Sequence, residues 1–252
     1  MYISTEGPIS TSRLVQLLTS FKSRYADNLT SDDKLSTDNV LTITCPDLET
    51  QEHILNYQLP VAVEKHNIGL IVLDSVAANF RAEYESVSKS ILFNNSTAPP
   101  RKRTRPELLA ERGKQLVKMA HALRNLARTY DIAVVVANQV SDRFDNGSRP
   151  PKSASDGEVL TLDHQARWFT GWGDEKHYVQ SNDKKVPALG LVWTNCIGAR
   201  IALLKTLSYR SSDDESWQRR MKVVFMPWAE GGSVCRYVIE TGGVKGVTTD
   251  AD

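Results

Sequence analysis

Apolar residues arrive in two rhythms along this chain. Short unbroken runs alternate with longer stretches where they recur every three or four positions. The first kind reads as strands. Leu70-Ile71-Val72-Leu73 runs straight into Asp74, and residues 132–137 run into Asn138-Gln139. Tyr2-Ile3-Ser4 ends at Thr5-Glu6, just before the turn pair Gly7-Pro8. Residues 40–44 form a short β-branched run. A continuous apolar run this short suits a strand covered on both faces, as in a parallel sheet.

The second rhythm gives helices. Ser10 or Ser12 caps one through about residue 25, with Leu14, Leu17, Leu18, Phe21 and Tyr25 on its apolar face. Residues 48–65 read as helical, kinked or divided by Pro60. The longest helix spans 106–130. Its buried stripe is Leu108, Leu109, Leu116, Met119, Ala120, Leu123, Leu126 and Ala127. Pro187 opens a short helix in which Leu189, Val192, Trp193 and Cys196 share a face. Residues 199–206 follow as a strand, and 221–225 and 234–239 as antiparallel strands at the sheet edge. Gly171-Trp172-Gly173 and residues 242–246 read as turns. The order predicts an α/β fold, a mostly parallel sheet with helices on both faces and an antiparallel C-terminal edge.

Three stretches fit neither rhythm. Residues 27–39 are polar and turn-rich. Residues 85–105 hold paired prolines and the basic cluster Arg101-Lys102-Arg103-Thr104-Arg105, an exposed loop by composition. Residues 140–185 are rich in Gly, Ser, Asp and Lys and carry Phe144, Trp168, Phe169, Trp172 and Tyr178. Loops this long inside a domain are usually functional or disordered.

Composition narrows the classes. The 252 residues are 40% hydrophobic and 24% charged, ordinary globular values for one large α/β domain. A formal net charge of +1 gives no global field, so any basic surface is local. Cys45, Cys196 and Cys235 form neither a metal pair nor a disulfide framework, which favours a reducing compartment. The five histidines make no HExxH spacing, and there is no Gly-x-Ser-x-Gly elbow. No apolar run is long enough to span a bilayer, so no membrane partner is expected.

The candidate chemistry lies at three strand ends, Glu6, Asp74 and Gln139. In parallel neighbouring strands all three would line one edge of the sheet, where α/β folds bind ligands. Asp74 could orient Mg²⁺, Glu6 could polarise a water, and Gln139 could sense a terminal phosphate. The plainer alternative is three satisfied strand-end residues. The phosphate cradle itself is missing, because GxxxxGK[ST] occurs nowhere in the chain. The chain starts inside a core strand without a lead-in, and the expectation is a truncated piece that begins just after the cradle. Such a piece should bind ATP weakly and expose apolar surface at the unpaired strand 1–5. The basic cluster has three readings: a solvated charge run, a nuclear localisation patch, or a grip on single-stranded nucleic acid beside stacking aromatics.

Four blocks carry a resemblance: Tyr2-Ile-Ser-Thr-Glu-Gly7 with Arg13-Leu14, residues 70–77 with Phe80-Arg81, residues 133–140, and residues 187–195 leading into Arg200. With them the chain resembles the RecA/RadA recombinase superfamily, and within it a eukaryotic recombinase paralogue of the mediator type. The resemblance runs from Tyr2 to about Gly246, leaving 247–252 as a tail, and implies a partial RecA-like ATPase core over 1–246. By it, Glu6 matches the water-activating glutamate and Gln139 the glutamine that couples nucleotide state to DNA. Asp74, with Ser75 beside it, matches the Walker B position that holds Mg²⁺ through water. Arg13 matches a position that packs on adenine. Residues 83–106 and 140–186 match two DNA-binding loops, which makes Arg101, Lys102, Arg103, Arg105, Trp168 and Trp172 DNA-contact candidates.

The resemblance implies ATP and Mg²⁺ as cofactors and a nuclear location. It implies action in homologous recombination repair of double-strand breaks, assisting recombinase filament assembly. The implied partners are single-stranded and branched DNA, a second paralogue in a heterodimer, and the main strand-exchange recombinase. A weak DNA-dependent ATPase is expected of the longer protein, and an inactive one of the chain as it stands. One rival is a non-hydrolysing scaffold that stabilises recombinase filaments. Another is a hexameric helicase-type ATPase, for which there are no motifs beyond the shared ones.

Overall fold

Four short strands, β1 (Tyr2–Ser4), β2 (Thr42–Thr44), β3 (Leu70–Asp74) and β4 (Ala133–Val136), form a parallel sheet in the order β2-β1-β3-β4. The computed structural model describes residues 1–30, 35–93, 104–142, 185–209 and 215–247. Parallel neighbours cannot be joined by tight turns, so each step between them carries helix. The register aligns the carboxyl ends. Ser4 faces Thr44 on one side and Asp74 on the other, and Leu73 faces Val136.

The chain falls into two compact units. The first holds Met1–Ile9, Val40–Ser141 and Val186–Cys196, and the second Ser10–Asn39, Asp142–Lys185 and Ile197–Asp252.

In the first unit, the helical stretch around Pro60 is divided as its sequence requires. Helix α2 (Leu48–His53), capped by Asp47, leads through a π-turn at Ile54–Gln58 into α3 (Leu59–His66). Proline lacks the N–H that would bond four residues back, and its ring crowds that carbonyl. The Leu59 N–H instead donates to Ile54 O, five residues back. Helix α4 (Val76–Phe93) continues past the point where a loop from 83 was expected. Phe80 and Tyr84 stack one turn apart, with centroids 6.3 Å apart. Helix α5 (Arg105–Tyr130) starts on a capping box. The Glu107 N–H donates to Thr104 Oγ1, and the Thr104 N–H donates to Glu107 Oε2 at 2.8 Å. The α5 stripe is buried as its spacing predicts, except that Ala127 is half-buried and Leu109 is 57% exposed.

The apolar run of β3 predicts cover on both faces. Ile71 and Leu73 are fully buried, but Leu70, at the strand's start, is 46% exposed. Behind β3, Phe80, Val76 and Ala77 are fully buried with Ile3 and Leu59.

Asn79 and Gln51 are polar side chains buried in this core. Asn79 Nδ2 donates to Gln51 Oε1 at 2.9 Å, Asp47 O at 3.0 Å and Cys45 O at 3.2 Å, tying α4 to the turn after β2. Gln51 in turn donates to Met119 Sδ at 3.2 Å. Burial of Cys45, aided by the Asp47 charge, pushes its thiol up to about 11. Leaving these acceptors without a donor is costly. Asn79→Ala is expected to lower unfolding stability by about 3 kcal/mol, read from the shift in urea midpoint.

Strands β5 (Val140–Asp142) and β6 (Lys185–Pro187) pair as a two-stranded ribbon. Helix α6 (Gly190–Thr194) follows and buries Leu189 and Trp193, while Val192 stays exposed.

The second unit holds the expected antiparallel strands in a sheet of their own, in the order β7-β8-β9-β10. These are β7 (Arg200–Tyr209), β8 (Glu215–Phe225), β9 (Val234–Glu240) and β10 (Gly243–Val247). Residues 243–247, expected as a turn, are the last strand; the turn itself is Thr241-Gly242. Its glycines are demanded by helix α1 (Thr11–Arg24), capped by Ser10. A Cβ on Gly242 would collide with Ser20 Oγ, and Gly243 has φ +117°. No residue of α1 is buried, and Phe21, on the expected apolar face, is 47% exposed.

Candidate functional site

The parallel register brings the three strand-end residues of the first unit to one edge. Glu6 Oε1 accepts from Gln139 Nε2, and from Ser75 Oγ at 3.4 Å. The turn that presents Glu6 is closed from below. Ser4 Oγ donates to Gly7 O and accepts from the Gly7 N–H at 3.3 Å. Thr5 then fastens β1 to the turn after β3. Its Oγ1 donates to Ser75 O at 2.8 Å and accepts from the Ser75 N–H at 2.9 Å, while its own N–H donates to Asp74 O at 2.9 Å. One hydroxyl can do both because it carries a donor and two lone pairs. From the other side, the Val76 N–H donates to Ala137 O at 3.0 Å and the Ala137 N–H to Leu73 O at 2.9 Å. The peptide bond joining Asp74 to the buried Ser75 is cis.

Asp74 Oδ2 accepts from the Tyr2 phenol at 2.7 Å. That bond raises the phenol's pKa, with burial and then the Asp74 and Glu6 charges adding to it, up to about 12. Gln139 Oε1 and Asn138 Oδ1 are buried without a hydrogen-bond partner. Buried amide oxygens normally have one. The edge therefore holds two carboxylates, a hydroxyl, a phenol and two unsatisfied amide oxygens.

Among the described residues no group of three His, Cys, Asp or Glu could hold a metal ion. The donors at this edge are all oxygens, which suits a hard cation. Mg²⁺ takes one or two carboxylates, keeps several waters, and draws its other ligands from phosphates. The residues present fit Mg²⁺ on those terms, as a cation shared with a bound nucleotide.

Arg13 lies in the second unit. Its guanidinium donates to Thr241 O at 2.5 Å and Glu240 O at 3.0 Å, anchoring α1 to the β9–β10 turn. Arg101, Lys102, Arg103, Trp168 and Trp172 lie outside the described residues. Arg105 is the first residue of α5.

Four further residues of the first unit did not stand out in the sequence as site candidates. Tyr2 and Thr5 lead into the Glu6 turn, and only the strand register shows that both reach the segment 74–75. Arg81 and Arg112 each bury a guanidinium nitrogen with no partner. Arg112 Nη2 donates to Ala188 O at 2.9 Å, and burial lowers the pKa of its guanidinium. The Ala188 N–H donates to Gln139 O at 2.9 Å, so Arg112 is linked to the Gln139 backbone through one residue. A basic residue on the buried side of a helix was the signal available for both.

No family model matches the chain. It is 41% identical over 229 residues to "DNA repair protein rhp57" of Schizosaccharomyces pombe, covering 90% of this chain and 58% of that one. It is 27% identical over 327 residues to "DNA repair protein RAD57" of Saccharomyces cerevisiae, covering 96% of this chain and 65% of that one. The chain thus spans less than two thirds of the length of either relative. Among solved structures it is similar to that of the RadB recombinase, with TM-score 0.52 and 21% identity, covering 98% of this chain and 78% of that one. That likeness shows a RecA-like α/β fold.

Proposed function

The chain belongs to the RecA/RadA recombinase superfamily, among its eukaryotic recombinase paralogues, and from that premise we propose that it serves ATP-dependent DNA binding in homologous recombination repair of double-strand breaks. Both relatives are named DNA repair proteins. In this reading the protein works in the nucleus, in a heterodimer with a second paralogue. It assists filament assembly by the main recombinase on single-stranded or branched DNA.

The observation that carries the reading is the convergence of Glu6, Asp74, Ser75 and Gln139 on one sheet edge. When bound, Mg²⁺ would neutralise charge on the nucleotide phosphates. Asp74 would hold it through water, with Ser75 beside it. Glu6 is exposed, and its carboxylate could take a proton from an attacking water. Gln139 hydrogen-bonds Glu6 directly, so any ligand that engages the Gln139 amide changes what Glu6 faces. Gln139 also immediately precedes residues 140–186, read as the second DNA loop, which would give nucleotide and DNA a short path to each other.

A second reading, the non-hydrolysing scaffold, has its own support. Glu6 is already engaged by Gln139 and Ser75. An ATPase assay on the full-length protein, with and without single-stranded DNA, separates the two. DNA-stimulated turnover supports the first reading, and none under either condition supports the scaffold. Nucleotide binding has its own check. Asp74→Asn is expected to weaken ATP binding in Mg²⁺ by about 10–100-fold, the scale of one lost interaction with a charged group, and to leave binding in EDTA unchanged. Equal losses in both buffers would show that Asp74 acts on the fold rather than on the metal.

A further inference from the structure

Asp74 does not present both of its oxygens freely, because Oδ2 is occupied by the Tyr2 phenol at 2.7 Å. The phenol is firmly placed. Tyr2 lies in β1, which, contrary to the expectation of an unpaired strand 1–5, is flanked on both sides within the sheet by β2 and β3. Its N–H donates to Leu41 O at 2.8 Å, and Met1 O just before it accepts from the Val72 N–H at 2.9 Å. In the register Tyr2 faces Val72, two residues before Asp74 on the neighbouring strand. A long side chain reaches that diagonal neighbour easily. The strands are already joined by backbone hydrogen bonds, so the phenol is not needed to hold them together.

We propose that Tyr2 is a specificity-determining residue for the divalent cation, fixing Asp74 through Oδ2 so that the carboxylate meets the metal through its water shell and does not close on it with both oxygens. This deepens the reading of Asp74 given above and rests on it. A carboxylate fixed in that way suits Mg²⁺, which keeps most of its water and needs few protein ligands. It suits Ca²⁺ poorly, because Ca²⁺ gathers six to eight oxygens and often takes carboxylates through both. The rest of the edge works in the same direction. Glu6 has one oxygen engaged by Gln139 and Ser75, and among the described residues no third acid, His or Cys completes a cluster. Tyr2 thus sets how Asp74 can meet the ion, and with that which ion can bring a nucleotide in.

The test is a calorimetric titration of ATP into the full-length protein, at a series of Mg²⁺ and of Ca²⁺ concentrations. It is run for the unaltered protein, Tyr2→Phe and Asp74→Asn. Tyr2→Phe removes only the hydroxyl. It is expected to narrow the preference for Mg²⁺ over Ca²⁺ by roughly tenfold, chiefly through tighter binding with Ca²⁺, and to leave the melting temperature of the metal-free protein unchanged. An unchanged preference in Tyr2→Phe, while Asp74→Asn loses its metal dependence, overturns the role of Tyr2 and keeps Asp74 as the metal residue. Unchanged metal dependence in Asp74→Asn removes the reading of Asp74, and the role of Tyr2 with it. A lowered melting temperature in Tyr2→Phe with no change in preference would make the phenol a structural tether and also overturn the proposal.

Discussion

Glu6→Gln in the full-length protein should lower ATP turnover by about 10²–10⁴-fold, the usual worth of a positioned general base, while ATP still binds. The substitution is nearly isosteric. A glutamine at position 6 keeps an oxygen that can accept from Gln139 Nε2 and Ser75 Oγ, the two partners Glu6 has now. It loses only the ability to take a proton. Because Glu6 is exposed while its turn is held by Ser4 and Thr5, the fold should not register the change. The measurement is single-turnover hydrolysis, with ATP binding followed separately. Unchanged turnover would remove Glu6 from the chemistry and favour the scaffold reading. Loss of both binding and turnover would assign it to holding the nucleotide instead.

Much of this edge is legible in the sequence because an apolar strand followed by a polar residue is a short, local signal, although burial is less complete than the apolar runs predict: no residue of β4 is buried and Val135 is 54% exposed. Asp74 after Leu70–Leu73 and Gln139 after 133–136 both stand where their strands stop. What the sequence does not carry is register. Tyr2 reads as an ordinary strand aromatic until β1 is aligned with β3, and only then does its phenol meet Asp74. Asn79 reads as an indifferent helix residue, because its three acceptors lie 28 to 34 positions away. Helix α4 does not show in the sequence pattern for a different reason. Polar residues between 83 and 90 hide a helical spacing at Phe80, Tyr84, Val87 and Ile91, which carries the helix to Phe93. Strand β8 was likewise shortened by the polar run Ser216-Trp217-Gln218-Arg219-Arg220, which pairs along β7 all the same. Edge and exposed strands tolerate polar residues on both faces, and there alternation gives no guide. The pairing of β7–β10 into a separate sheet also lay beyond pattern reading, since antiparallel strands can extend one sheet or form another with the same local sequence.

Changing Arg101, Lys102, Arg103 and Arg105 together to alanine should weaken single-stranded DNA binding by the full-length protein. The loss should be similar for all sequences. The argument starts from placement in the chain. Helix α4 ends at Phe93 and α5 begins at Arg105, so the four cations fall in the connection and at the start of the next helix. The chain has a net charge of only +1, and a local concentration of cations is therefore what could draw it to a polyanion. Each phosphate contact releases condensed counterions, so log affinity falls against log salt with a slope of about −0.7 per contact on single strands. Removing four contacts should flatten that slope by up to about 3. Stacking by Trp168 or Trp172 would leave a different trace, costing about 1–3 kcal/mol per base with little change in slope. Fluorescence anisotropy across a salt series reads both quantities together. A quadruple variant with unchanged affinity and slope would leave nuclear import as the use of the cluster. A loss of affinity at constant slope would show that the cluster acts on binding other than through phosphate contacts and overturn this reading.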